Sequence, residues 1–218
     1  MSLTLITAPS QLPVTQAEVW AHLRVNLTGS PPAPADQTHI LGLINAVVDE
    51  LDGQAGTLGR AIVTQTWDLK MAAFPVARTM AQGYQGPQPA ADSIRVPLPP
   101  LQSVTSITYV DNNGDSQTLS SDLYTVDTAS QPGLIVPAYG QAWPATRDAI
   151  DAVTVRFVAG YPSDGASPAD YRANVPDTVK TAIKLKVEAL YDRDPRDFEM
   201  LNRAADRLLA MLGPGLGG

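Results

Sequence analysis

Two histidines, an Asp-Arg-Asp triplet and three tryptophans are the side chains in this sequence best suited to chemistry or ligand contact. His22 and His39 stand too far apart to form a metal cluster by spacing, and each reads better as a structural or surface imidazole. Asp192-Arg-Asp194 pairs two carboxylates, but it abuts a helix start, where aspartate commonly caps. Trp20 falls on an amphipathic helix, and Trp67 shares a strand parity with Val63 and Leu69, so both are expected in the core. Trp143, in Gly140-Gln-Ala-Trp-Pro144, lies in a turn-rich stretch and with Tyr139 is the candidate for ligand contact. The chain has no cysteine, which excludes a disulfide framework, a thiolate zinc site and a thiol nucleophile. No G-x-S-x-G, P-loop or H-E-x-x-H motif occurs. The glycines near 213–218 match part of a dinucleotide fingerprint by letter, but they follow no strand and open no helix. Asn26-Leu-Thr28 matches a glycosylation triplet by chance, in the absence of a signal peptide. No enzyme activity, cofactor or metal is therefore expected. An enzyme would need a cleft holding strongly perturbed carboxylates in the β region.

The elements that must position these residues are helical at both ends and β-like between. Thr15-x-x-Glu18 is a capping box, with Val14 and Val19 placed for a hydrophobic staple, and its helix should run to about Val25. After a Gly- and Pro-rich loop, Asp36 is expected to cap a second helix. Its buried stripe is Ile40, Leu43, Ile44, Val47, Val48 and Leu51, and Gly53 and Gly56 close it. Strands are expected over Ala61–Met71, at Ile94–Leu98 where prolines confine the segment, and over Val104–Val110. Leu123–Val126, Leu134–Val136 and Val153–Val158 follow, and residues 75–92 and 159–176 read as loops. Asp111-Asn-Asn-Gly-Asp115 is a strong turn signal. Asp177 opens a helix striped by Val179, Ile183, Val187 and Leu190. Asp194-Pro195 opens the last, lined by Phe198, Leu201, Ala205, Leu208 and Leu212.

This order predicts an α+β fold in which helical N- and C-terminal segments pack together around an intervening antiparallel β region. We expect one unit made of N-terminal helices (1–58), a β-rich region (59–160), C-terminal helices (176–212) and a flexible tail (213–218). With 218 residues and 44% apolar content, the chain can bury a substantial core. Net charge is −7 and unevenly placed: residues 1–171 hold seven basic against fifteen acidic side chains, residues 172–218 eight against seven. That balance opposes binding to nucleic acid by phosphate neutralisation. The basic residues near the end, Lys180, Lys184, Arg193, Arg196, Arg203 and Arg207, read first as a solvated, ion-paired face and second as a surface for an acidic partner. No run of apolar residues is long enough to span a membrane, and Met1–Pro9 lacks the basic start of a signal peptide.

The order of pieces resembles the head–tail connector, or adaptor, proteins of long-tailed bacteriophages and of gene transfer particles. Val14-Thr-Gln-Ala-Glu-Val-Trp-Ala-His-Leu-Arg-Val25 is similar to that family's first helix. Gly59-Arg-Ala-Ile-Val-Thr-Gln-Thr-Trp-Asp-Leu69 follows the second. Val96-Pro-Leu-Pro-Pro-Leu-Gln-Ser-Val-Thr-Ser-Ile-Thr-Tyr-Val-Asp111, Tyr124-Thr-Val126 and Trp143-Pro144 come next. Val155-Arg-Phe-Val-Ala-Gly-Tyr161 and Val175-Pro-Asp complete a likeness over roughly residues 3–195. The resemblance implies a virion neck protein made in the bacterial host cytoplasm. It implies self-association into a ring, typically dodecameric, on the portal protein, extending a channel through which DNA passes without specific binding. An adjacent neck or tail-completion protein would be the other partner. It points to residues 195–218 as portal-facing, with Arg196, Phe198, Arg203, Arg207, Leu208, Leu212 and Leu216 at the interface. The alternative is a β-rich ligand-binding module of another neck or tail protein.

Overall fold

A computed structural model describes residues 1–25, 33–75, 92–192 and 195–213. The expected loop over 75–92 lies almost wholly outside these residues, as do Asn26-Leu-Thr28, Arg193, Asp194 and most of the tail. The fold is α+β, with antiparallel sheets and four helices among the described residues. The chain divides into two compact units. A β unit comprises residues 1–8 and 65–160; a helical unit comprises residues 9–64 and 161–218.

The β unit holds a five-stranded sheet in the order β1-β2-β8-β4-β5. Its strands are β1 (Ser2–Thr7), β2 (Gln65–Met71), β8 (Val153–Ala159), β4 (Leu101–Val110) and β5 (Ser116–Thr118). Every neighbouring pair is antiparallel. The pairing of Trp67 with Phe157 and Leu69 with Val155 lines up the apolar parity of adjacent strands, so one face of the sheet becomes core. Phe157, Val155, Leu69 and Ile107 are all buried there. The opposite parity is polar: Thr66, Asp68 and Lys70 sit opposite Val158, Arg156 and Thr154.

A second sheet, ordered β3-β7-β6, contains β3 (Ile94–Val96), β7 (Gly133–Pro137) and β6 (Tyr124–Asp127). Its Ile94, Val96 and Ile135 are buried. Gly133 is where this sheet comes against β4: a Cβ built on it would run into the Leu101 side chain. The Asp-Asn-Asn-Gly-Asp turn forms as expected, and it joins β4 to a strand, β5, that was not expected. The Asp111 carboxylate accepts the backbone N–H groups of Asn113 and Asp115, and Gly114 takes φ +97°.

The helical unit brings both halves of the chain together. It contains α1 (Gln16–His22), α2 (Pro34–Leu51), α3 (Asp177–Tyr191) and α4 (Pro195–Ala210). The capping box is formed: the Glu18 amide donates to the Thr15 hydroxyl at 3.1 Å, and the Thr15 amide donates back to the Glu18 carboxylate at 2.6 Å. Partial burial pushes the Glu18 carboxyl up, but the Thr15 hydrogen bonds and the charges of Lys180 and Lys184 outweigh it and hold it below the usual carboxylate range. Val19, Ile40, Ile44, Val47 and Leu51 meet Val179, Ile183 and Val187, with Ala205 and Leu209 from α4.

Several expectations need correction. α2 starts at Pro34, not after an Asp36 cap: proline at the first position loses no hydrogen bond, and Asp36 lies within the first turn. β2 starts at Gln65 instead of Ala61, because Ile62 and Val63 belong to the helical core and Val63 bridges Tyr161. A 3-10 turn at Ser121–Leu123 displaces the expected strand start to Tyr124. In α3, Leu190 points outward while Ala182, Ala189 and Lys186 are buried. In α4, Phe198 is 44% exposed and Leu209 is buried instead. β1 and β5 have no counterpart in the sequence reading.

Candidate assembly surface

α4 carries most of the residues proposed for an interface, and its two sides differ sharply. Helical periodicity places Arg196, Met200, Arg203, Arg207 and, just past its end, Met211 along one side. All five are exposed. Phe198, though 44% exposed, falls by the same period on the opposite side of the helix, and Arg203 pairs with Glu199 at 3.1 Å within the helix. Leu208 and Leu212 are partly buried against the helical core and are not part of that outer stripe. Leu216 lies outside the described residues. The structure thus groups Arg196, Arg203 and Arg207 outward and turns Leu208 and Leu212 inward.

Two buried cations fasten α4 from behind. Lys186 of α3 is only 7% exposed. Its ammonium donates to Glu50 of α2 at 2.9 Å and meets Asp206 of α4 at 3.3 Å. Burial pushes this ammonium down, but the hydrogen bond and charge of Glu50, with those of Asp206, outweigh it and hold it above the ordinary lysine range. Arg60, also buried, donates from Nη2 to the Leu212 carbonyl at 2.6 Å, placing a cation at the C-terminal end of α4. These ties add to the apolar contact of α4, in which Ala205 and Leu209 are buried and Leu208 and Leu212 partly buried.

The sequence reading missed Lys186, Met200 and Met211. A signal for each was present. Lys186 is seven residues from Val179 and three from Ile183, on the apolar face of α3, where a lysine needs an acidic partner. Met200 and Met211 share the helical phase of the three arginines.

The side chains first suspected of chemistry are engaged structurally. His22 Nε2 lies 2.9 Å from the Glu188 carboxylate, and the His39 ring lies 6.3 Å from that of Tyr191. Trp67 is buried and donates to Gln65. Trp20 is partly buried against the helical core. Trp143 stacks on Phe74, with ring centroids 4.9 Å apart, and donates its N–H to the Asp92 carbonyl at 2.7 Å. Trp143, partly buried, is thus held between Phe74 and Asp92; Tyr139 is fully exposed on the turn after β7.

Perturbed carboxylates serve turns. Asp111 is held below the usual range by the Asp115 amide and the Gln117 side chain. The Ser130 hydroxyl and Ala129 amide do the same for Asp127, and the Arg172 amide for Asp170. Among the described residues, no His/Asp/Glu group is arranged to hold a metal, and no helix is long and apolar enough to cross a membrane.

No family model and no curated protein matches this sequence. Solved structures do share its fold. A chain from the neck of an empty gene transfer agent (GTA) particle, computed with C6 symmetry, matches at TM-score 0.66 and 17% identity over 95% of both chains. A chain from the virion of the native GTA particle matches at TM-score 0.61 and 18% identity, covering 93% of this chain and 94% of that one. A chain from the neck of the native particle, computed with C12 symmetry, matches at TM-score 0.58 and 18% identity over 95% and 94%. At such identities the likeness is one of fold.

Proposed function

We propose that this chain is a structural neck protein: a head–tail adaptor that docks on a portal ring, extends the DNA channel and presents a surface to the next neck or tail-completion protein. The observation that carries this reading is a likeness of fold to neck chains over almost the full length of both partners. The two units would act together as one adaptor, without enzymatic activity, made in the host cytoplasm and incorporated in the virion.

Physical features support the docking and DNA-passage parts of the reading. Copies in a ring convert weak individual contacts into strong docking. A net charge of −7 disfavours adhesion to passing DNA. The outward Arg196, Arg203 and Arg207, with Met200 and Met211 between and beyond them, give α4 a surface suited to an acidic, partly apolar portal face. The segment 195–218, with Leu216 at its end, is the portal-facing part in this reading.

Removing residues 195–218 is a poor test, since it uncovers the core around Ala205 and Leu209 and strips Lys186 and Arg60 of partners. Charge reversal on the exposed side is cleaner. The triple variant Arg196→Glu, Arg203→Glu, Arg207→Glu should keep its helical circular dichroism and lose co-sedimentation with the portal ring. Undiminished co-sedimentation would remove α4 from the portal interface.

A further inference from the structure

The five-stranded sheet ends in two edges of unusual character. β1 forms one edge and β5 the other. β1 reads Ser2-Leu-Thr-Leu-Ile-Thr7, with no charge and no proline, and only Leu3 is even partly buried. Leu5 and Ile6 are 44% and 43% exposed. β5, Ser116-Gln-Thr118, is uncharged and wholly exposed. Edge strands left open in solution are normally guarded by charges, proline or bulges. The smaller sheet follows that rule, with Arg95 on one edge strand and Asp127 on the other. In the larger sheet a register shift near Ile6 disturbs only the end of β1, leaving Ser2–Leu5 as a regular ladder.

We infer that β1 of one copy pairs with β5 of the next, so that the large sheet continues from copy to copy around a ring. This deepens the neck reading above and rests on it. The chemistry of an open strand edge calls for another extended backbone. A second copy supplies one of matching character, since β5 is uncharged and open. Contact of β1 with β1 would be isologous and close a pair, whereas β1 with β5 is head-to-tail and propagates until a ring closes.

Strand direction agrees. With every pair in the sheet antiparallel, β1 and β5 run the same way, and copies rotated about an axis along the strands would pair in parallel. Ser2, Lys70, Thr154, Thr108 and Thr118 form one row across the sheet, which places Ser2 and Thr4 on the same face as Ser116 and Thr118.

The chain has no cysteine, so introduced thiols are unambiguous. Five strands put the two edges about 19 Å apart, too far for a disulfide within one copy. Thr4→Cys protein is mixed with Thr118→Cys protein, and separately with Ser116→Cys to cover the neighbouring register. Each mixture is oxidised on portal rings and in concentrated solution, then run on a non-reducing gel. The expected result is a covalent dimer in a mixture but from neither variant alone, and a ladder from Thr4→Cys/Thr118→Cys. Thr4→Lys should lose ring assembly while the free chain melts as before. A ring imaged without the mixed dimer overturns the edge pairing and leaves the neck reading standing. Dimer from Thr4→Cys alone, or Thr4→Lys rings of normal yield, also overturns it. Neither ring nor dimer sinks both.

Discussion

The β unit and the helical unit each contain a buried charge, and they use it differently. In the β unit, Asp68 on β2 takes two hydrogen bonds from Arg156 on β8, both 2.8 Å, between strands already joined by a full backbone ladder. The pair decorates a connection that exists without it. In the helical unit, Lys186 joins α2, α3 and α4, and Arg60 reaches the end of α4. There the charges tie α4 to its neighbours alongside the apolar contacts of Ala205, Leu208, Leu209 and Leu212. A sheet is fastened by its backbone; a terminal helix must be fastened by side chains.

The largest expected effect breaks or upholds the division into two units. Phe157→Ala removes a fully buried ring from the β unit and should cost about 4 kcal/mol. Hydrogen exchange read by mass spectrometry should show lost protection over residues 101–159 and retained protection over α2 and α3. Equal loss in both units would mean that they unfold as one.

Next comes the contrast between the charges. Glu50→Gln with Asp206→Asn leaves Lys186 buried without an anionic partner and should cost about 3 kcal/mol, with the loss concentrated in α4. Lys186→Met keeps the packing and leaves Glu50 and Asp206 to water, so it should lie within about 1 kcal/mol of the parent. Asp68→Asn should cost only about 1 kcal/mol, because Arg156 can turn to solvent. If Asp68→Asn proves the costlier of the two disruptions, the charges do not divide the work as described.

pH sharpens the same point. Lys186 has its pKa raised by folding, so its stabilisation is complete below the ordinary lysine range and fades as pH climbs through the raised value. Helical circular dichroism should therefore fall at strongly alkaline pH before the sheet signal does, since Arg156 remains charged. Lys186→Met should abolish that early loss. Smallest is Thr15→Ala, worth about 1 kcal/mol through the lost cap. The Glu18 half of the box, with its pKa lowered, contributes above the usual carboxylate range and is lost as pH falls through the lowered value.

What could be read from the sequence was local. The capping box spans three residues, the α2 stripe repeats every turn, and the Asp111–Asp115 turn carries its own glycine. Each is decided by neighbours along the chain. Lys186 and Glu50 are 136 positions apart, Asp68 and Arg156 are 88, and no spacing rule reaches that far. β1 escaped for the same reason: its partner β2 begins only at Gln65, and six residues without that partner show no fold. On α3 and α4 the helical period was right but residue type misled. Leu190 and Phe198 were assigned to the inward stripes of their helices on apolar type, and both stand exposed. Arg196, Arg203 and Arg207 were read first as part of a solvated face, and all three are exposed. The inward turn of Leu208 and Leu212 was legible from their stripe with Leu201 and Ala205, whereas the tie of Arg60 to the Leu212 carbonyl, 152 positions away, was not.

A neck role is tested most directly by mixing the full chain with the portal ring encoded in the same genome and imaging the product by electron microscopy. The expected product is a portal capped by one added ring, with α4 on the portal side and the β1 and β5 edges at the contacts between copies. Bare portals at saturating protein concentration would contradict it.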